Sequence, residues 1–385
     1  MGSFLVVFVV AALVTFATGP LVKRLAVRVG AVVAPDDLRI HDEPTPTLGG
    51  AAMLLGFLAA MGVAWQLADF APVFSGSTLP LGIVLAAIVI YGVGGIDDMR
   101  EMSAPAKTAG MVLAGSILSI AGASIIFFRI PFLGFVSLSP DLSALITVIW
   151  VLGMCNAINF IDGLDGLAAG IVGIASIAFF LFAERLADPE VALLAVDNPG
   201  SLVAVATAGI CIGFLPHNFH PASMFMGDGG ALLLGVLMAA ATISVGGNSS
   251  EDFSGQTFFF FAPLFIPLVV LGVPIFDTAF AIVRRATRRQ GLATRDIGHL
   301  HHRLMDLGHG QRRSVVILWS WTALLSAMVL YPTYTGRDDS FVPLAIVGSL
   351  LLLFTYFLPR RRQARDAVVA ETADAPVDGG TIAPS

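Results

Sequence analysis

Asn156-Ala157-Ile158-Asn159-Phe160-Ile161-Asp162-Gly163-Leu164-Asp165-Gly166 sets two amides and two carboxylates three residues apart, closed by glycines. Strongly apolar runs flank it, 141–158 before and 166–183 after, each long enough to span a bilayer as a helix. The stretch is therefore a polar connection between two spans. A carboxylate inside or at the edge of a membrane is costly enough to be read first as a functional site.

Composition agrees with that reading. Of 385 residues, 56% are hydrophobic and 12% charged, with a mean hydropathy of +0.87. A soluble domain has about twice that charged fraction, so the chain is expected to be an all-α polytopic membrane protein. Apolar runs at 3–19, 49–67, 80–96, 106–123, 141–158, 166–183, 199–216, 229–246, 257–276, 313–331 and 341–358 predict about eleven transmembrane helices. The first run lacks a preceding basic segment and is read as a retained span rather than a signal peptide. Residues 124–140, with four phenylalanines around Arg129 and Pro131, read as an interfacial hairpin. Cys155 and Cys211 lie in or beside apolar runs and read as small packing residues, not a disulfide framework. Residues 1–358 are expected to form one transmembrane catalytic domain, and 359–385 a disordered cytoplasmic tail.

Charge sets the orientation. With the N-terminus outside, the inner segments hold four basic residues at 23–39, two at 100 and 107, eight arginines at 284–313 and four at 360–365. Only Arg129, Arg185 and Arg337 fall outside, whereas the outer loops carry Glu184, Asp188, Glu190, Asp197, Glu251, Asp252, Asp338 and Asp339. The positive-inside rule then predicts N-terminus out and C-terminus cytoplasmic.

On that topology every polar cluster faces the cytoplasm. The loops are Arg39–Gly50, Gly94-Gly95-Ile96-Asp97-Asp98 with Lys107, the opening stretch, His217–Gly230 around Asp228, and a last loop with Asp277, an arginine run and His299-Leu300-His301-His302-Arg303. Asp97, Asp98, Asp162, Asp165 and Asp228 could not gather unpaired, because like charges repel and protonate. A hard divalent cation resolves this, and Mg²⁺ takes one or two carboxylates together with waters and phosphate oxygens. Gly227, Gly229 and Gly230 permit close backbone approach to a ligand. Helix N-termini at the same face favour anions. The His-rich loop lacks cysteine partners for zinc and reads as a phosphate cradle. The residues thus describe a metal-dependent phosphate pocket beside lipid, with membrane lipids as neighbours and no nucleic acid implied.

NAINFIDGLDGLAAG, GGIDD with Lys107, NFHPASMFMGDGGALLLG, VPIFDTAFAIVRR, HLHHRLMDLGHGQRRS and RIHDEPTPTLGG together resemble the polyprenyl-phosphate N-acetylhexosamine-1-phosphate transferase family. Within it the chain is most similar to the bacterial undecaprenyl-phosphate N-acetylglucosaminyl-1-phosphate transferase branch. The resemblance runs from about Arg24 to Arg313. It implies a Mg²⁺-dependent enzyme of the bacterial cytoplasmic membrane, with Mn²⁺ as a substitute cation and UDP-N-acetylhexosamine and polyprenyl phosphate as substrates. It leaves a homodimer open. By position it implies catalytic roles for Asp97 and Asp98 and metal ligation by Asp228 and Asp162. Asn159, Asp165, Lys107, Asn218, His299, His301, His302 and Arg303 make up the substrate-binding set. Two departures stand out: Gly229-Gly230-Ala231 replaces a serine-bearing run, and Thr47 stands where many members carry a basic residue.

Two rivals remain at this stage. A phospho-N-acetylmuramoyl-pentapeptide transferase of the same family usually shows three consecutive histidines in the last loop, and Leu300 interrupts them here. A transporter would place its acids near the bilayer midplane in repeat-related broken helices; here they cluster at span ends.

Overall fold

The computed structural model describes residues 1–33, 44–130, 134–191, 193–246, 271–287, 303–305, 307–335 and 343–355. Among these, eight helices are long and apolar enough to cross a membrane. They are α1 (Gly2–Val29), α2 (Gly49–Gln66), α4 (Leu79–Met99), α6 (Pro140–Ile161), α7 (Leu167–Ala187), α8 (Gly200–Asn218), α9 (Gly227–Gly246) and α11 (Gln311–Thr335). Two shorter apolar helices, α5 (Ala104–Ile120) and α12 (Pro343–Thr355), match the expected runs at 106–123 and 341–358. A short α3 (Ala71–Ser75) and the amphipathic α10 (Gly272–Thr287) complete the set. The expected span 257–276 falls mostly outside the described residues, as do the tail 359–385 and His299, His301 and His302.

Two small antiparallel pairs interrupt the helices. One joins β1 (Val32–Val33) to β2 (Thr45–Pro46), and the other joins β3 (Phe127–Ile130) to β4 (Gly134–Ser137). The second is the hairpin expected between 124 and 140.

Helix α1 runs ten residues past the end of the apolar run at Gly19, through Pro20. A proline inside a helix leaves the carbonyl four residues earlier without its donor. Here that carbonyl is Phe16 O, and the His217 ring of α8 takes it at 2.9 Å through Nε2. Gly19 makes the room: a Cβ there would sit 2.6 Å from His217 Cδ2. The helix ends at Gly30, whose left-handed φ of 76° lets its N–H reach Ala26 and Val27 carbonyls.

Helix α9 is the axis of the bundle. From Gly229 to Gly246 it is buried and apolar on every side apart from a few hydroxyls, the pattern of a helix enclosed by others. Helices α2, α4, α6 and α8 surround it, while α1 lies outside on α2 and α8. Small residues allow this closeness: a Cβ on Gly235 would meet Cys155 Cα at 2.5 Å. Cys155 and Cys211 are both free and buried, as packing residues should be. Some buried hydroxyls are satisfied within or between helices: Ser244 Oγ donates to Ala240 O at 2.7 Å and Trp150 Nε1 to Thr242 Oγ1 at 3.0 Å.

The up-and-down course has a consequence for chemistry. It gathers the C-terminal ends of α4, α6 and α8 and the N-terminal ends of α2, α5, α7 and α9 at one end of the bundle.

Candidate active site

The site is built on the first turn of α9. Its leading N–H groups have no partners within the helix. Asp98, in the last turn of α4, supplies them from outside: Oδ1 accepts from Asp228 N at 2.8 Å and Oδ2 from Gly229 N at 3.0 Å. Thr47 Oγ1 donates to the same Oδ1 at 3.4 Å. Gly227 is required here twice over. Its φ is +69°, a conformation that side chains disfavour, and the space a Cβ would take is filled by the Asp98 carboxylate, with Cγ 2.7 Å away.

Glycines close the other two approaches. A Cβ on Gly94 of α4 would lie 2.5 Å from Gly229 Cα, and one on Gly50 of α2 would lie 2.6 Å from Gly230 Cα. The chain before α9 is zipped to the chain before α2, with Phe225 N donating to Pro46 O at 2.8 Å and Gly49 N and Gly50 N to Phe225 O and Met226 O at 2.9 Å each. The loop Thr45–Gly50 is thus a clamp on the entry to α9.

Asp228 projects from this clamped turn into a chain of charges. Asn159 Nδ2 donates to its Oδ1 at 2.8 Å, and Lys107 Nζ contacts its Oδ2. The same ammonium lies 3.0 Å from Asp97 Oδ2, whose other oxygen accepts Met102 N at 2.7 Å. The structure therefore brings together Asp97, Asp98, Lys107, Asn159 and Asp228 from α4, α5, α6 and α9.

Asp162 follows the end of α6 and is half-buried. Among the described residues its carboxylate has no hydrogen-bond or ion-pair partner. Burial first, and then the charges of Asp228, Asp98 and Asp165, push its pKa well above the usual carboxylate range. An unpartnered carboxylate in the field of Asp228 suits a divalent cation, which needs one or two such ligands when phosphates and water supply the rest. No cluster of three or more His, Cys, Asp or Glu side chains among the described residues could hold a metal by itself.

Asp165 and Asn218 have a different setting. Asp165 is 3% exposed; its Oδ2 accepts His220 Nδ1 at 2.7 Å and Ala222 N at 3.1 Å. Asn218 is 2% exposed, with Oδ1 accepting Gly166 N at 3.0 Å and Nδ2 donating to Met224 O at 3.1 Å. Both therefore brace the α6–α7 connection against the α8–α9 connection, with both ends of the Asn218 amide engaged. Arg312 Nε donates to His220 O at 3.2 Å, adding the start of α11 to this brace. Arg303 is exposed, and among the described residues its side chain makes no bond to the Asp228 cluster.

His220 is not singled out by the sequence, and Thr47 stands out there only as a departure from the family pattern. Their shared signal was position, in polar Thr-Pro and His-Pro loops assigned to the same membrane face.

Known proteins resemble this chain over most of its length. Residues 80–246 match the family described as glycosyl transferase family 4. A decaprenyl-phosphate N-acetylglucosaminephosphotransferase of Mycobacterium tuberculosis is 38% identical over 321 residues, 82% of this chain and 79% of that protein. A probable undecaprenyl-phosphate N-acetylglucosaminyl 1-phosphate transferase of Bacillus subtilis is 35% identical over 332 residues, 86% of each. A phospho-N-acetylmuramoyl-pentapeptide-transferase of Desulforudis audaxviator is 32% identical over 348 residues, 83% of this chain and 95% of that protein.

Proposed function

We propose the following activity for this chain, which belongs to the polyprenyl-phosphate N-acetylglucosaminephosphotransferases of glycosyl transferase family 4: transfer of N-acetylglucosamine 1-phosphate from UDP-N-acetylglucosamine to a polyprenyl phosphate. The products are polyprenyl-diphosphate-N-acetylglucosamine and UMP. The observation that carries this reading is the charge chain Asp97–Lys107–Asp228–Asn159 at one end of the bundle. It offers an ammonium for phosphate oxygens and a carboxylate to hold an acceptor, beside apolar helices that suit a lipid chain.

In the step we favour, an oxygen of the lipid phosphate attacks the sugar-linked phosphorus of the UDP-sugar. A new P–O bond forms there, the bond to the bridging diphosphate oxygen breaks, and that oxygen leaves with UMP. Asp97 holds the lipid phosphate and takes its proton if it carries one. Lys107, between Asp97 and Asp228, offsets charge on the equatorial oxygens. Asp228 and Asp162 would hold Mg²⁺, or Mn²⁺ in its place, which when bound neutralises the diphosphate. His299, His301, His302 and Arg303 would grip the diphosphate from the last loop. Trapping a phosphosugar covalently on Asp97 in a single turnover would overturn this one-step route.

The charge asymmetry of the sequence supports an outward N-terminus and a cytoplasmic site, its apolar runs support about eleven spans, and the bacterial relatives support a bacterial cytoplasmic membrane. The test is UMP release in detergent from polyprenyl phosphate and a panel of UDP-sugars, with and without EDTA. UDP-N-acetylglucosamine should be turned over, and EDTA should abolish release until Mg²⁺ is restored. Preference for the muramoyl-pentapeptide nucleotide would move the chain to the other branch.

A further inference from the structure

We propose that Asp98 is a positioning residue that holds the metal-binding Asp228 in place, and that of the adjacent pair only Asp97 meets substrate. The inference rests on the reading of the site given above. Neighbouring residues on a helix point about 100° apart, so Asp97 and Asp98 leave α4 in different directions. The structure divides them accordingly. Asp97 turns to Lys107, while both oxygens of Asp98 turn to the backbone N–H groups of Asp228 and Gly229.

Three further features show a seat built for that carboxylate. Gly227 lacks the Cβ that would collide with it, Gly94 lets α4 reach α9 one turn before it, and Thr47 donates a third hydrogen bond. A carboxylate accepting two backbone N–H groups at a helix N-terminus is a charge-assisted cap. Asp98 caps α9 from another helix, so it fixes α9 axially and in rotation against α4. The Asp228 side chain is thereby delivered to Asn159 and Lys107. Losing one oxygen would free an N–H of the first turn and let Asp228 swing from those partners.

The test uses full-length protein in detergent with Mn²⁺ as the probe, its binding read by the loss of the free-ion electron paramagnetic resonance signal. Asp98→Asn keeps the shape but presents an NH₂ to one of the two N–H groups. We expect Mn²⁺ affinity to fall about 10- to 100-fold, the range for groups that orient a metal ligand. Amide hydrogen exchange should also speed up in a peptide covering 225–231, and raised Mn²⁺ should recover part of the turnover. Asp97→Asn should instead leave amide exchange in 225–231 unchanged and lose turnover at every Mn²⁺ concentration. Thr47→Val, which removes only the third donor, should give a smaller shift in the same direction and serves if Asp98→Asn does not fold.

Unchanged Mn²⁺ affinity and unchanged exchange in Asp98→Asn, with turnover lost, would overturn the proposal and make Asp98 a substrate-contacting group. Wild-type protein that releases UMP without binding Mn²⁺ would instead overturn the metal reading of Asp228, and this proposal with it.

Discussion

Gly94→Ala adds a single methyl group in the middle of a helix, and the structure sets its consequence. A Cβ at Gly94 would lie 2.5 Å from Gly229 Cα, 2.6 Å from Gly229 N and 2.7 Å from the Asp228 carbonyl carbon. Ordinary contacts of this kind begin at 3.4 Å, so α4 and α9 must part by roughly 1 Å. All three obstacles are backbone atoms, which removes any escape through a rotamer change. Overpacking of this kind costs about 1–3 kcal/mol, against a gain of about 0.5–1 kcal/mol from replacing a helical glycine by alanine. The net effect is a loss of roughly 1–2 kcal/mol. The activity loss should be larger, because Asp98 sits one turn from Gly94 and the displaced pair carries Asp97 and Asp228. A misplacement of about 1 Å at reacting groups costs about 10²-fold in rate. Gly92→Ala is the control, since nothing lies within 4 Å of a Cβ there; it should be neutral or slightly stabilising. Thermal unfolding and UMP release on both variants check the argument. A Gly94→Ala protein that melts and turns over like wild type would refute the direct α4–α9 contact on which the site geometry depends.

Asp162→Asn should raise the melting temperature of EDTA-treated protein while lowering turnover. The sign follows from the raised pKa of Asp162: between the unfolded carboxylate value near ~4 and its folded value, the folded state binds more protons. Stability from this group is then present at low pH and lost as pH rises through that window. The gap between variant and wild type should therefore widen from pH 5 to pH 8 and shrink when Mg²⁺ is added; a gap independent of pH would remove Asp162 from the buried-charge role. His220→Ala should destabilise by about 1–3 kcal/mol, since Asp165 keeps only the Ala222 N–H of its two described donors. Proteolysis at the 218–226 segment should speed up in parallel. An unchanged melting curve would deny the brace.

Much of the arrangement was legible before any coordinates. Helical runs and the flanking polar stretches needed only length and polarity, since a bilayer admits few alternatives to spanning helices. The α1 boundary misled for a physical reason: Pro20 ends helices when its orphaned carbonyl has no other donor, and the donor, His217, lies 201 residues away along the chain. Asp165 and Asn218 read as substrate-binding residues from the family resemblance alone. Their partners, His220 and the backbone at Gly166, Ala222 and Met224, become visible only once two connections are folded together.

By itself the sequence determined that this chain spans a membrane, and that the carboxylates and amides of its motifs collect at the ends of spans. Those conclusions rest on transfer free energies and charge, which act residue by residue. Only the tertiary structure shows what each carboxylate touches. Asp97 and Asp98 are neighbours with identical side chains, and nothing local separates them. The rotation of α4 against α9, set where Gly94 and Gly229 touch, turns one toward Lys107 and buries the other against the backbone of Asp228.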